Sequence, residues 1–442
     1  MLPLVVLIVA ALVAPFAARS SAAGDADRAR PVVLAGDAVP GGGTFERFSV
    51  ESLPIVAPVT SEGRVAFFAT ILRGRASEGF FVWSEGKVAK VVVDGDPSPA
   101  GGTFSGFGRH PIPALNAHGR LAFAAAVAGG KTVEGIFLAT GRTVKTVAVT
   151  GGAAPGVPSG VLASVDAPSL NDRGDVAFLA TVRRGRESLE AIYVASAGKL
   201  RKVVAQGDAA PAGGVFAGFG APVVNAKGIV AFAAVVEGPA VPGGLFVSED
   251  GKIRMVLGAG DDAPIGGIFA KLSERIAFND TGAIAFNAVL KRGPVAAGIF
   301  VVEGDRVRKV AALGDPAPGG GVFSYLGLWP ALSAAGTVGF VASVDHGPAP
   351  IGVFTADRSE TRKIAGVGDT VVGVGRLASF GLYPTMAISG TRAVTVAIAR
   401  DSGGAGVRHR AGPAAPVRPA LSSYRTVDTR GTRSRPSPDG AR

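Results

Sequence analysis

Six aspartates recur at one place in this chain. Asp37, Asp96, Asp208, Asp261, Asp315 and Asp369 each follow a glycine, and Gly151-Gly152 stands where a seventh Gly-Asp step would fall. Calcium takes about six to eight oxygen ligands, so one carboxylate per repeat is too few for a site at each. Asp261 and Asp262 are the one doubled pair of the series, and a cation is expected there first; no cofactor beyond such a calcium ion is expected. The other aspartates are expected to accept hydrogen bonds from the amides of the Gly/Pro turns that follow them.

Other chemistry is sparse. His110, His118, His346 and His409 fall at non-equivalent places and show no metal-ligand spacing or Ser-His-Asp arrangement, so no catalytic residue is assigned. Glycine-rich stretches such as GDPAPGGGVF, from Gly314, lack the Gly-Lys-Ser/Thr of a phosphate-binding loop. The most individual stretches are FGRHPIPAL, Phe107 to Leu115, and YLGLWPAL, Tyr325 to Leu332. Arg109, His110, Tyr325 and Trp329 add side chains that other units lack, and exposed aromatics and arginines favour binding. Burial of the same residues in the core is the competing reading.

What positions these residues is a repeat. Asn-x-x-Gly turns recur with glycines at 63, 119, 174, 228, 282, 336 and 390, at intervals of 56, 55 and then 54 residues. Full copies run through Asn116 and Gly119, Asn171 and Gly174, Asn225 and Gly228, and Asn279 and Gly282. A Gly-apolar-aromatic step follows each turn, as in GIFV at Gly298, and the Gly-Asp step comes next. Each unit reads as four strands, with the Asn-x-x-Gly turn opening the second; both turn residues tolerate positive φ. In RVAFFATI, Val65, Phe67, Ala69 and Ile71 alternate with Ala66, Phe68 and Thr70, so both faces are apolar and the strand lies between packed sheets.

Stacked four-stranded sheets make an all-β propeller, here of about seven blades. The strand before Asp37 has no partners ahead of it, whereas the last unit lacks a fourth strand. The N-terminal strand is therefore expected to close the last blade and remove the open edges. The 65 glycines and 30 prolines fit turns between buried segments, because the chain is 48% hydrophobic, too apolar for a disordered Gly/Pro chain.

Residues 2–18 are an unbroken apolar run, and Ser21-Ala22-Ala23 is a small-residue cleavage site, so residues 1–23 read as an export signal; a retained anchor is the runner-up. No span is expected after cleavage. The absence of cysteine excludes disulfides and Cys-type zinc sites. The net charge of +11 includes lysines and arginines of the fourth strands, such as Lys87, Lys90, Arg142, Lys145, Lys199, Lys202, Arg306, Lys309, Arg362 and Lys363. That strand is the outermost, where charge blocks edge pairing, and no interleaved aromatics suggest nucleic acid. Residues 408–442 hold eight arginines, no lysine and no strand pattern, and read as a disordered basic tail after a repeat domain over 24–407.

The pattern N-x-x-G-x-x-A-F, carried by Asn116–Phe123, Asn171–Phe178, Asn225–Phe232 and Asn279–Phe286, resembles the bacterial choice-of-anchor tandem repeat NxxGxxAF-containing family. The resemblance covers roughly residues 30 to 407 and implies an exported, surface or periplasmic protein without assigned activity. Regular repeats with few deviant acids point to a monomeric, non-enzymatic binding or scaffold module whose partner is a protein or glycan. A glycan-directed hydrolase or lyase, or a purely structural extracellular protein, is the alternative.

Overall fold

The computed structural model describes residues 5–12, 29–48, 56–107, 109, 111–238, 241–380, 385–390 and 392–400. They form a seven-bladed β-propeller of antiparallel sheets. Blades one to six span 44–93, 103–149, 161–205, 215–258, 268–312 and 322–366. Blade five shows the plan. Its first strand comes in two pieces, Ile268–Leu272 and Ala277–Phe278, both paired with the second strand, Ile284–Lys291. Ala297–Glu303 and Arg306–Ala312 follow outward. The first strand is thus broken in the middle, across residues 273–276, and that break recurs.

Seven apolar cores lie at the seven blade interfaces, which is what ring closure requires. Between blades five and six, Ile299 and Val301 face Phe323, Phe340 and Phe354. Across the seam, Val32, Val33 and Val394 of blade seven pack on Phe45, Phe67 and Phe81 of blade one. The alternation in the second strand places one set of residues in each neighbouring core: Val65, Phe67 and Ala69 in one, Ala66 and Phe68 in the next. In blade five Phe269 meets Phe300 edge-on, 5.1 Å apart at 90°, and Phe286 stacks on Phe300 at 5.9 Å. Blades one, two, four and six repeat this triad, each such pair adding about 0.5–1.5 kcal/mol beyond area burial. In blade three Tyr193 stands in the third-strand place, and its buried hydroxyl has no partner. Burial, with the field of Asp208, pushes that phenol up to about 12.

The Asn-x-x-Gly turns join the blades. Asn116, Asn171, Asn225 and Asn279 each donate Nδ2 to the backbone oxygen of the equivalent residue in the next blade, Asn171, Asn225, Asn279 and Ser333, at 3.0, 2.8, 3.3 and 3.0 Å. Each Oδ1 accepts the amide four residues on, from Arg120, Asp175, Ile229 and Ala283. The glycines take positive φ, 91° at Gly282, but the asparagines do not; the sequence reading credited both, and it is the amide side chain that selects Asn. Thr60 and Ser333 keep the local bond, to Arg64 N and Thr337 N, but are too short to reach the next blade. Arginines add further links: Arg392 of blade seven donates to Ser61 O at 2.9 Å, Arg64 to Ala117 O at 3.4 Å, and Arg120, beside the Asn116 amide, to Asp172 O. Equivalent points of seven blades touch in series only near the axis, so the first strands are innermost.

The outer ends are tied differently from expectation. The Gly-Asp carboxylates accept amides three residues back, at Leu34, Val93, Ala205, Gly258, Ala312 and Gly366, rather than those of the following turn. They thereby hold the last turn of the fourth strand. The lysine six residues earlier pairs with the same carboxylate in Lys90–Asp96, Lys202–Asp208, Lys309–Asp315 and Lys363–Asp369. Gly152 lacks the carboxylate, and Thr146 stands where its lysine would be. Arg142 lies in the turn before its fourth strand, Thr143–Val149, not in it.

Blade seven is closed by the N-terminus, and by more of it than the repeat pattern indicated. Ala29–Leu34 is its outermost strand, as expected. Between it and Arg392–Arg400 lies Val5–Leu12, paired antiparallel with both, in the third-strand place. The segment that reads as the core of an export signal is thus a blade strand here. The tail at 408–442 lies outside the described residues.

Three outcomes are expected in thermal and denaturant unfolding. Asn279→Ala leaves the Ser333 carbonyl and the Ala283 amide without their buried partners and costs about 3 kcal/mol, whereas Asn279→Ser keeps the local bond and costs about 1 kcal/mol. Tyr193→Phe removes a buried hydroxyl without a partner and leaves stability unchanged or raises it by about 1 kcal/mol. A chain lacking residues 1–23 loses the third strand of blade seven, and hydrogen exchange is expected to rise in 29–34 and 392–400 while blades two to five keep their protection.

Candidate functional site

Blades one to six share their turns, and all of them but blade three share the aromatic triad; the first-strand breaks differ. The separation from the strand's core residue to the turn residue is 9 in blades three and four, Leu162 to Asn171 and Phe216 to Asn225. It is 10 in blades five and six, 12 in blade two, Phe104 to Asn116, and 15 in blade one, Phe45 to Thr60. These breaks still send side chains into interface cores, Phe48 in blade one, Phe107 in blade two and Ile276 in blade five, and the residues around them vary.

A break frees backbone amides, and two solutions satisfy them. In blades two, three and four the preceding blade supplies a carboxylate: Glu78 accepts Phe107 N, Glu134 accepts Val165 N at 3.3 Å, and Glu190 accepts Phe219 N at 3.1 Å. Gly243 and Ala297 occupy the equivalent of those glutamates in blades four and five. The breaks of blades three to six also bond within their own blades, Asp166 N to Leu179 O, Gly220 N to Ala233 O, Ser273 N to Asn287 O and Gly327 N to Val341 O. Asn287 also donates Nδ2 to Gly327 O across the interface at 2.5 Å. Blades one to four and six carry Phe68, Ala124, Leu179, Ala233 and Val341 at that place, so this amide is particular to the interface of blades five and six.

Arg275 and Trp329 meet there. They are 54 residues apart, equivalent positions in neighbouring blades, and the Arg275 guanidinium lies 4.1 Å over the Trp329 ring. Both are partly buried. The stack is a cation–π contact, worth about 0.5–2 kcal/mol as desolvation grows. Burial pulls the Arg275 pKa below its ordinary value, while the fields of Asp166 and Glu274 oppose that shift. Asp166 belongs to the break of blade three, two blades away, so this field acts through the ring centre. Asp166 also accepts the amide of Ala167 at 2.6 Å, which fixes its carboxylate. Blade four approaches closely between them: a Cβ on Gly220 would collide with the Glu274 carbonyl oxygen.

The residues singled out in the sequence divide. Trp329 is in this site, stacked under Arg275. Tyr325 lies on the same first strand and is 48% exposed, beside Leu328 at 39%, so neither is consumed by the core. Arg109 is exposed in the break of blade two, and His110 lies outside the described residues. Asp261 and Asp262 are elsewhere, on the connection between blades four and five, where Asp261 accepts Gly258 N at 2.7 Å. Among the described residues no group of three or more His, Asp or Glu side chains is arranged to hold a metal ion. Arg275, Asp166, Glu274 and Asn287 were missed. The signal was present: Arg275 falls one 54-residue period before Trp329, and Asn287 replaces an apolar residue in the repeat.

No helix in the described residues is long and apolar enough to cross a membrane. No curated protein matches the chain. Among solved structures it is similar to a puromycin-hydrolyzing peptidase of Mycobacterium tuberculosis, at 15% identity and TM-score 0.45, over 81% of this chain and 53% of that one. The chain thus spans about half the length of that peptidase. It is also similar to an oligogalacturonate lyase from Vibrio parahaemolyticus, at 12% identity and TM-score 0.45, over 84% and 94% of the two chains. A third is the Aleuria aurantia lectin, at 11% identity and TM-score 0.36, over 72% and 96%. A peptidase, a lyase and a lectin share little but architecture, and likeness at this level carries no assignment of activity. A family model matches residues 19–293 and 242–405, and the chain belongs to that family, a family of unknown function (DUF7453).

Proposed function

We propose that the protein is an exported binding module that takes its ligand at the centre of the ring, on the first-strand breaks of blades five and six. One observation carries this reading: the Arg275–Trp329 stack, at positions where blades one to four carry only Val56, Ile112, Ala167 and Ala221. A structural arginine needs no tryptophan beneath it and no Asn287 bracing the next strand. Aromatic and arginine side chains held rigidly and left partly open are what binding hot spots are made of. Tyr325 and Leu328 extend the surface with apolar area. Export rests on the apolar run at 2–18 with its small-residue site, and on the resemblance to exported NxxGxxAF repeat proteins.

A second reading has an observation of its own. Asp166 and Glu274 bring two carboxylates toward the same centre, and a glycan-directed hydrolase or lyase would need such groups. Turnover of a bound glycan, lost in Asp166→Asn with binding kept, would move the assignment to an enzyme.

The full chain on a broad glycan array, with calcium and with a chelator, tests the binding reading. Selective binding is expected, reduced at least about tenfold by Trp329→Ala, a loss of about 1.4 kcal/mol. Unchanged binding in that variant removes the ring centre as the site. N-terminal sequencing of the exported protein is expected to find Val5–Leu12 retained, since those residues complete blade seven; a mature start at Gly24 shows that the ring works with that strand absent.

A further inference from the structure

The Arg275 guanidinium, on the first-strand break of blade five, leaves its donors unused. Its one intramolecular hydrogen bond is at the backbone, where the carbonyl accepts Ser273 Oγ at 2.8 Å; among the described residues no hydrogen bond or ion pair to the guanidinium is formed. A guanidinium carries five N–H donors in a rigid plane and is costly to desolvate without acceptors. Trp329 covers one face of that plane, so the edge, where the donors point, is the part left for a partner. The second arginine of the same neighbourhood type, Arg308, behaves differently: its Nη2 donates to Gly336 O at 3.0 Å, and the group ties two blades together.

We propose that Arg275 receives a single planar carboxylate of a small ligand, bound edge to edge by two parallel N–H···O bonds. This rests on the binding reading above and names what is bound. Planarity matches the guanidinium fork, which pairs bidentately with carboxylates. The flat ring of Trp329 beneath the guanidinium suits a planar carboxylate over a tetrahedral sulfate. Arg275 and Trp329 both lie on first-strand breaks and are partly buried, which suits a small ligand better than a folded protein surface. Asn287 acts as a positioning residue, since its amide holds the Gly327 carbonyl two residues before Trp329.

The sequence holds two tryptophans, Trp83 and Trp329, so in full-length chain carrying Trp83→Phe the emission reports Trp329 alone. That protein is titrated with sodium glucuronate, with glucose as the neutral match, and with sodium sulfate at equal ionic strength. Glucuronate is expected to change the emission saturably, with glucose and sulfate at least about tenfold weaker. Arg275→Gln is expected to abolish the preference for glucuronate over glucose, and Arg275→Lys to weaken it, because lysine keeps the charge and loses the fork. Circular dichroism of each variant checks that the propeller is intact. Equal responses to glucuronate and glucose, or a preference untouched by Arg275→Gln, overturn the carboxylate assignment while leaving a binding site at Trp329. Absence of any response, together with array binding untouched by Trp329→Ala, overturns both.

Discussion

Everything in this ring depends on one side-chain amide repeated from blade to blade. Asn116, Asn171, Asn225 and Asn279 each hold their own turn with Oδ1 and the next blade with Nδ2. A single residue thus sets local geometry and inter-blade spacing together. All four are buried, where a polar group without partners costs more than a made bond contributes. A residue that does only half the task, such as Ser333 or Thr60, appears where the chain of amides stops. Arginines also reach across, Arg120 beside one of these amides and Arg392 at the seam between the last blade and the first.

With the turns and aromatic triads fixed, the interfaces have little freedom. Each blade packs apolar faces on two neighbours, so a substitution in the second or third strand is felt in a core on one side or the other. The freedom lies in the first strand. Its break differs in length from blade to blade, while single residues such as Phe48, Phe107 and Ile276 stay in the interface cores. The glutamates at 78, 134 and 190 serve the early breaks. Where they stop, at Gly243 and Ala297, the structure places Arg275, Asn287 and Trp329. Individual chemistry collects at the centre because that is where the repeat does not need to be identical.

Closure adds a separate constraint. The last blade draws two strands from the N-terminus, Ala29–Leu34 and Val5–Leu12, and the second lies between the first and the chain's last described strand. An open third place would expose strand edges on both sides. Val5–Leu12 is paired along its length with Arg392–Arg400 on one side and with Ala29–Leu34 on the other.

The period, the all-β class and the closed ring were determined by the sequence alone. Asn-x-x-Gly turns, two-faced apolar strands and a lone fourth strand ahead of Asp37 are local or periodic features, and periodicity survives without knowing any contact. Trp329 and Tyr325 were also legible, as departures from the repeat. What the tertiary structure decided was partnership. That Arg275 lies on Trp329, that Asp166 acts on it from two blades away, and that Asn287 braces Gly327 all depend on which positions converge at the axis. The aspartates show the same limit from the other side. Their recurrence was plain, but the amide each one accepts lies three residues back, a choice set by how the fourth strand ends in space. Spacing along the chain gives the number of blades; contact across the centre is a property of the closed ring.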